Sequence, residues 1–160
     1  MIYTLDNTEF LFYCLEQCKG IRQMEKYHPE GDVFIHSLQV LHYAFKETHD
    51  TDLILAAMLH DIGKAVVVKG HDKEALNMLQ EYVSPKTLFL IEHHMRFWDY
   101  IEGAMQKLSK CLFLANHPWL PELVQLSRWD NKGRRKNWQP TYDRENIIDR
   151  LNKSCEQHFT

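Results

Sequence analysis

Ten histidines among 160 residues are the one compositional anomaly of this sequence, and several stand where acids and apolar residues surround them. His60-Asp61 closes the most apolar stretch, DLILAAMLHDI at 52–62. Leu53, Ala56 and Ala57 lie one or two helical turns back on the same side, so the pair continues a buried stripe. Burying an imidazole beside a carboxylate is costly unless partners or a metal satisfy both. By itself the pair reads better as a capping aspartate and a hydrogen-bonded core histidine. Other segments add to it: His36 among Phe34, Ile35 and Val40, His71 after Gly70, the doublet His93-His94, and Asp130 one turn after Leu126. Leu90 and Phe97 flank His94 at i−4 and i+3. Five separate segments thus offer imidazole or carboxylate at apolar-side positions. That donor set suits Mn, Fe, Co, Ni or Zn better than calcium, with Mg left open. Neighbouring helical residues point ~100° apart, so His60 and Asp61 can serve one centre only near a helix end. There the carboxylate can bridge two cations ~3.5–4 Å apart, an arrangement suited to in-line attack on phosphorus.

The elements that must position these groups read as helices throughout. Thr8 is placed to cap a first helix running to about residue 19, ended by Gly20. Asp32 is placed to cap a second, in which Phe34, Leu38, Leu41 and Phe45 form one stripe. Asp50 or Thr51 starts a third that Gly63 ends. Residues 65–70 form a loop with a short extended piece at Ala-Val-Val-Val. A fourth helix covers about 72–82, and Ser84-Pro85 is an N-cap and N1 pair opening a fifth to about 98. Further helices are expected over 104–116, 121–131 and 143–157, with Pro118 and Pro121 separating the first two. The expected fold is all-α, a single helical bundle over residues 1–160 with its motif-bearing core at about 28–135.

Composition narrows the function further. Apolar residues make up 44% and charged residues 26%, which argues against disorder. A net charge of −3 gives no global basic field for nonspecific duplex binding. Cys14, Cys18, Cys111 and Cys155 form no CxxC pair and read as reduced core residues outside any metal site. The first twenty residues lack the basic start of a signal peptide, and no apolar run is long enough for a membrane span. A cytoplasmic location is therefore expected, with no membrane association, and no feature points to a protein partner.

The order His36, His60-Asp61, Asp130 resembles the H…HD…D signature of the HD superfamily of metal-dependent phosphohydrolases, supported by LHDIGK at 59–64 and GHDKEA at 70–75. HPEGDVFIHSLQVL at 28–41 is similar, more specifically, to the HD domain of bacterial CCA-adding tRNA nucleotidyltransferases, as is the Asp130-Asn131-Lys132-Gly133-Arg134 segment. The chain leaves no room for a nucleotidyltransferase catalytic domain, so nucleotide addition is not expected. The resemblance implies an HD-type helical bundle with one or two divalent metals. His36, His60, Asp61 and Asp130 would form the first metal site, and His71 and His94 (alternatively His93) would join Asp61 at a second. Asp61 and Lys64 would be catalytic, Lys64 facing the phosphate. Asp72 stands where glutamate is more usual. The basic segment with Lys132, Arg134, Arg135, Lys136 and Trp138 would grip a phosphate backbone, while Phe97 and Trp98 would line the pocket mouth. The implied substrate is a nucleotide or RNA-end phosphate ester, cleaved as a phosphomonoester or as a 2′,3′-cyclic phosphodiester. Two rival readings remain open: oxygenase chemistry at a di-iron centre, which some HD relatives perform with four His and two Asp, and a non-enzymatic, metal-stabilised nucleic-acid-binding module. Tyr27-x-x-Glu30 before His36 resembles the lid of one such oxygenase.

Overall fold

The computed structural model describes residues 5–157. These form eight α-helices: α1 (Leu5–Glu16), α2 (Val33–Glu47), α3 (Thr51–Leu59), α4 (His71–Leu79), α5 (Pro85–Ile101), α6 (Leu108–Ala115), α7 (Leu120–Lys132) and α8 (Arg144–Gln157). A single 3₁₀ turn, Ile62–Ala65, links α3 to the loop before α4. No strand occurs among the described residues; Arg22 and Asp32 make one isolated bridge.

The bundle is built around α3, every residue of which is buried. It packs against α2, α5 and α7, and more lightly against α1 and α8. Two short caps set where α2 and α3 begin. The Asp32 carboxylate accepts from Ile35 N at 2.8 Å, and that of Asp50 accepts from Asp52 N at 3.0 Å and Leu53 N at 3.4 Å. Ser84 caps α5 by accepting from Thr87 N at 3.1 Å, and Pro85 follows in the first turn, where its missing N–H costs nothing. Each cap satisfies amides that the helix itself leaves unpaired.

Several expected boundaries move. Thr8 is not at the start of α1: the helix already includes Leu5, so Thr8 lies inside it and is buried. That helix stops at Glu16, and the chain turns through residues 17–20 to Gly20 at φ +81°. The Val-rich segment is not extended, because the 3₁₀ turn runs into it and its valines face solvent. α4 is shorter than expected, α5 is longer, and residues 104–107 stay outside α6. Pro121 stands in the first turn of α7, which begins one residue before the expected start at 121. Residues 1–4, the start of the segment read against a signal peptide, lie outside the described residues. No helix among the described residues is long and apolar enough to cross a membrane. All four cysteines are free thiols, three of them buried. Burial pushes the Cys14 and Cys155 thiols up to about 11 and Cys18 to about 12.

Candidate metal centre

α3 ends at Leu59, so His60 and Asp61 stand where the helix gives way to the 3₁₀ turn. Asp61 leaves helical geometry at φ −110°, ψ 6°. That break lets two adjacent side chains face one centre, which a continuous helix would forbid. Three imidazoles are then held alike. His60 Nδ1 donates to Ala57 O at 3.0 Å, His71 Nδ1 to Val68 O at 2.8 Å, and His94 Nδ1 to Ile91 O at 2.6 Å. Each ring is locked by the carbonyl three residues earlier, and a carbonyl can only accept, so the proton sits on Nδ1 and Nε2 faces the centre. Asp72 takes no part in holding His71. His36 is oriented from afar: its Nδ1 lies 3.0 Å from Gly133 O and 2.9 Å from Glu30 Oε1.

Four Nε2 atoms thereby converge on two carboxylates. Asp61 Oδ1 lies 3.2 Å from His71 Nε2 and 3.4 Å from His94 Nε2, which are 3.4 Å from each other. Asp61 Oδ2 lies 3.3 Å from His60 Nε2 and 3.7 Å from His36 Nε2. Asp130 Oδ1 lies 2.9 Å from His36 Nε2 and 3.7 Å from His60 Nε2. All six side chains are buried. Asp61 is the shared member, facing His60 and His36 with one oxygen and His71 and His94 with the other.

This arrangement fits divalent cations on its own chemistry. His60 Nε2 is buried and has no hydrogen-bond partner among the described residues. Nε2 atoms of His71 and His94 face one another at 3.4 Å, although both rings place their protons on Nδ1. Two lone pairs so opposed are relieved by a metal ion or a proton between them. Ligands ~2.0–2.2 Å from a tetrahedral ion stand ~3.3–3.6 Å apart, close to the mutual spacing of Asp61 Oδ1, His71 Nε2 and His94 Nε2. Locking Nδ1 to a backbone carbonyl is also how ligating histidines are commonly oriented. Two trios, His36, His60 and Asp130, and Asp61, His71 and His94, each bring their donor atoms within 4.8 Å. A third trio, His28, Glu30 and His36, is already joined by hydrogen-bonding contacts of 2.9 Å through Glu30 Oε1.

Without a cation, protons balance the charge. Burial opposes ionisation of Asp61, yet His60, Lys64 and His71 hold its carboxyl well below the usual range. Asp130 is treated alike by His36 and His60. Burial by itself would lower both imidazole pKa values, but Asp130 and Glu30 raise His36 to about 9. Asp61 and Asp130 raise His60 to about 10. Glu30, though buried, is drawn to about 2 by His28 and His36.

A cleft of about 400 Å³ opens above this centre. Asp61 and Asp130 reach it from below, Lys64 and Arg134 border it with positive charge, and Trp98 forms part of its wall. Lys64 Nζ donates to Asp61 Oδ2 at 3.1 Å and to Gln23 Oε1 at 2.8 Å. Arg134 Nη1 donates to Tyr27 O at 3.3 Å, which keeps the guanidinium beside Asp130.

Other expected site residues fall elsewhere. His93 does not face Asp61; it packs against Phe89 and Phe113, with ring centroids at 4.6 Å and 5.6 Å. Adjacent helical positions diverge, and only one member of the doublet can look inward. Phe97 is core, not pocket mouth. Arg135 is exposed and does not line the cleft, because Gln39 bonds its backbone N and O at 3.0 Å each. Trp138 packs near His42, with centroids 5.8 Å apart, and Lys132 lies over the Tyr43 ring. The basic segment therefore presents one side chain to the cleft, Arg134. Sequence reasoning missed His28, Met95, Asp99, Glu102 and Asn131 as cleft residues. Asp99 and Glu102 follow from α5 continuing past residue 98 to Ile101, and Met95 lies one turn before Asp99 within the expected helix, a helical register that could have found all three.

Residues 33–132 match the HD domain family, and the chain belongs to it. The match spans α2 to α7, the helices that contribute every inward-facing histidine and acid of the centre except the intervening His60-Asp61 turn, which it also includes.

Proposed function

We propose that the protein is a metal-dependent phosphohydrolase acting on the phosphate ester of a nucleotide or RNA end, either as a phosphomonoesterase or as a 2′,3′-cyclic phosphodiesterase. The observation that supports this reading best is one cleft in which two carboxylates, Asp61 and Asp130, meet two cations, Lys64 and Arg134. His36, His60, Asp61 and Asp130 would hold one divalent ion, and Asp61, His71 and His94 a second; Mn, Fe, Co, Ni and Zn suit the donors, and Mg suits them less. Bound there, the metal would supply Lewis-acid polarisation of the phosphoryl group and positive charge beside the attacking water.

The chain's own residues account for the rest. Lys64 and Arg134 place donors where the non-bridging phosphate oxygens would lie, and neither needs to reorganise, since Asp61, Gln23 and Tyr27 already hold them. Asp61 and Asp130 present acceptor oxygens that orient a water for in-line attack. Trp98 offers a face on which a base can stack. The similarity of HPEGDV to tRNA-processing HD domains favours an RNA 3′ end. Arg134 alone of the basic segment reaches the cleft, which favours a short substrate over a long strand.

The test is a panel of phosphomonoesters and 2′,3′-cyclic nucleotides, assayed with each of Mn, Fe, Co, Ni, Zn and Mg. Turnover with at least one ester and metal, lost in Asp61→Ala, is expected. No turnover across the panel overturns the reading and leaves the non-enzymatic binding module, scored by RNA retention in Asp61→Ala. The di-iron oxygenase alternative draws on the convergence of four His and two Asp. Against it, Glu30 is engaged by His28 and His36 rather than free to act as a lid. Oxygen consumption by anaerobically iron-loaded protein would restore that alternative.

A further inference from the structure

Glu30 is buried beneath the loop before α2, and one of its oxygens meets two rings. Oε1 lies 2.9 Å from His28 Nδ1 and 2.9 Å from His36 Nδ1. A carboxylate can only accept, so the His28 proton sits on Nδ1. A flipped ring would lose that bond and leave Glu30 short of a donor, since its Oε2 already has no partner among the described residues. Glu30 therefore fixes which edge of His28 looks outward. The ring stands edge-on to His36, with centroids 5.2 Å apart, and lines the same cleft as Asp61, Lys64 and Trp98. No protein group among the described residues bonds its Nε2.

With Nδ1 committed to Glu30, Nε2 of the neutral ring is an acceptor. Asp99 and Glu102 line the same cleft and add acceptor-only carboxylates. The lining of the cleft thus holds groups of two kinds. Lys64 and Arg134 supply donors suited to a phosphate, while His28, Asp99 and Glu102 supply acceptors. The acceptors reward a group that carries O–H or N–H donors.

We infer that His28 is a specificity-determining residue whose Nε2 accepts a hydrogen bond from a hydroxyl on the alcohol part of the ester, so that the site prefers ribose-bearing monophosphates to their deoxy counterparts. This rests on the phosphohydrolase reading above. Glu30 is the positioning residue, acting through His28.

The test uses the full chain loaded with its activating metal. It compares kcat/KM for adenosine 5′-monophosphate with its 2′-deoxy and 3′-deoxy analogues, and for ribose 5-phosphate with 2-deoxyribose 5-phosphate. The wild type is expected to favour a hydroxyl-bearing member by about 3- to 10-fold, the effect of one neutral hydrogen bond. His28→Asn keeps an N–H for Glu30 but has nothing that reaches the cleft, so its ratio should fall to about 1. His28→Gln, whose amide extends to the Nε2 position, should recover part of the preference. A merely structural role would alter rates for all esters together and leave the ratios alone. Turnover with ratios unchanged in both variants, or a wild type with no hydroxyl preference, overturns the inference while the phosphohydrolase reading stands. Cleavage of a 2′,3′-cyclic nucleotide with none of these monophosphates turned over overturns this inference alone, and absence of turnover with any monophosphate or cyclic ester overturns that reading and this inference with it.

Discussion

Asp61→Asn is the most informative single perturbation of the centre. The substitution preserves shape but removes one negative charge and turns one oxygen into a donor. Asp61 faces four imidazoles at 3.2–3.7 Å and Lys64 at 3.1 Å, so the change touches both trios at once. An amide N–H cannot ligate, and even weaker perturbations around a ligand typically lower metal affinity by about 10- to 100-fold. Suppose metal is supplied at 100 times the wild-type dissociation constant. Binding then adds about 2.7 kcal/mol to folding stability, which for a chain of this length raises Tm by roughly 5–11 °C. With affinity reduced by about 100-fold, the same metal concentration adds only about 0.4 kcal/mol, or roughly 1–2 °C. Thermal unfolding with and without Mn, Co, Ni or Zn reads this directly and needs no substrate. His93→Leu, one residue from a proposed ligand but turned toward Phe89 and Phe113, should keep the full wild-type increment. A metal-dependent Tm rise in Asp61→Asn equal to that of the wild type would refute the reasoning that Asp61 is shared between the two sites.

Other consequences follow from the same geometry. His36 and His60, raised to about 9 and about 10, contribute their full stabilisation to the metal-free protein below about pH 6.5 and lose it as pH climbs through 9–10. Metal needs the unprotonated rings. The metal-free Tm should therefore fall over that window while the metal-induced increment grows; an increment independent of pH would show that these imidazoles do not ligate. Gly63→Ala should destabilise the fold by more than 1–3 kcal/mol, roughly the cost of ordinary overpacking, because its Cβ would stand 1.9 Å from His71 O. A variant as stable as wild type in urea unfolding would disprove so close an approach. Arg134→Ala should raise KM for the active ester by about 10-fold or more, the value of one charge-assisted hydrogen bond, whereas Arg135→Ala should leave KM within about twofold. Equal effects from the two would mean that the cleft is not the substrate site.

Much of this protein was legible from local rules. Helix class and the Asp32, Asp50 and Ser84 caps depend on side chains acting on amides two to three residues away, and such signals survive without tertiary context; α3, expected to run on to Gly63, instead ends at Leu59. The locks on His60, His71 and His94 are local too, each to the carbonyl three residues earlier. Spacing therefore sufficed to nominate these histidines, though it left the doublet undecided. Residues 93 and 94 differ by one helical step, and only packing decides which of them turns toward α3. His36 was nominated by its place on the apolar stripe of α2, but what orients it lay beyond local reading, because Gly133 holds it across 97 positions and Glu30 meets the same ring nitrogen. The basic segment misled for the converse reason. Sequence counts its charges together, whereas the tertiary structure ties Arg135 to Gln39 and Lys132 to Tyr43 and leaves Arg134 in the cleft. Sequence determined which elements form and which residue types can bind a metal. Folding alone decided which of those side chains share one centre, since convergence depends on helix packing across long separations.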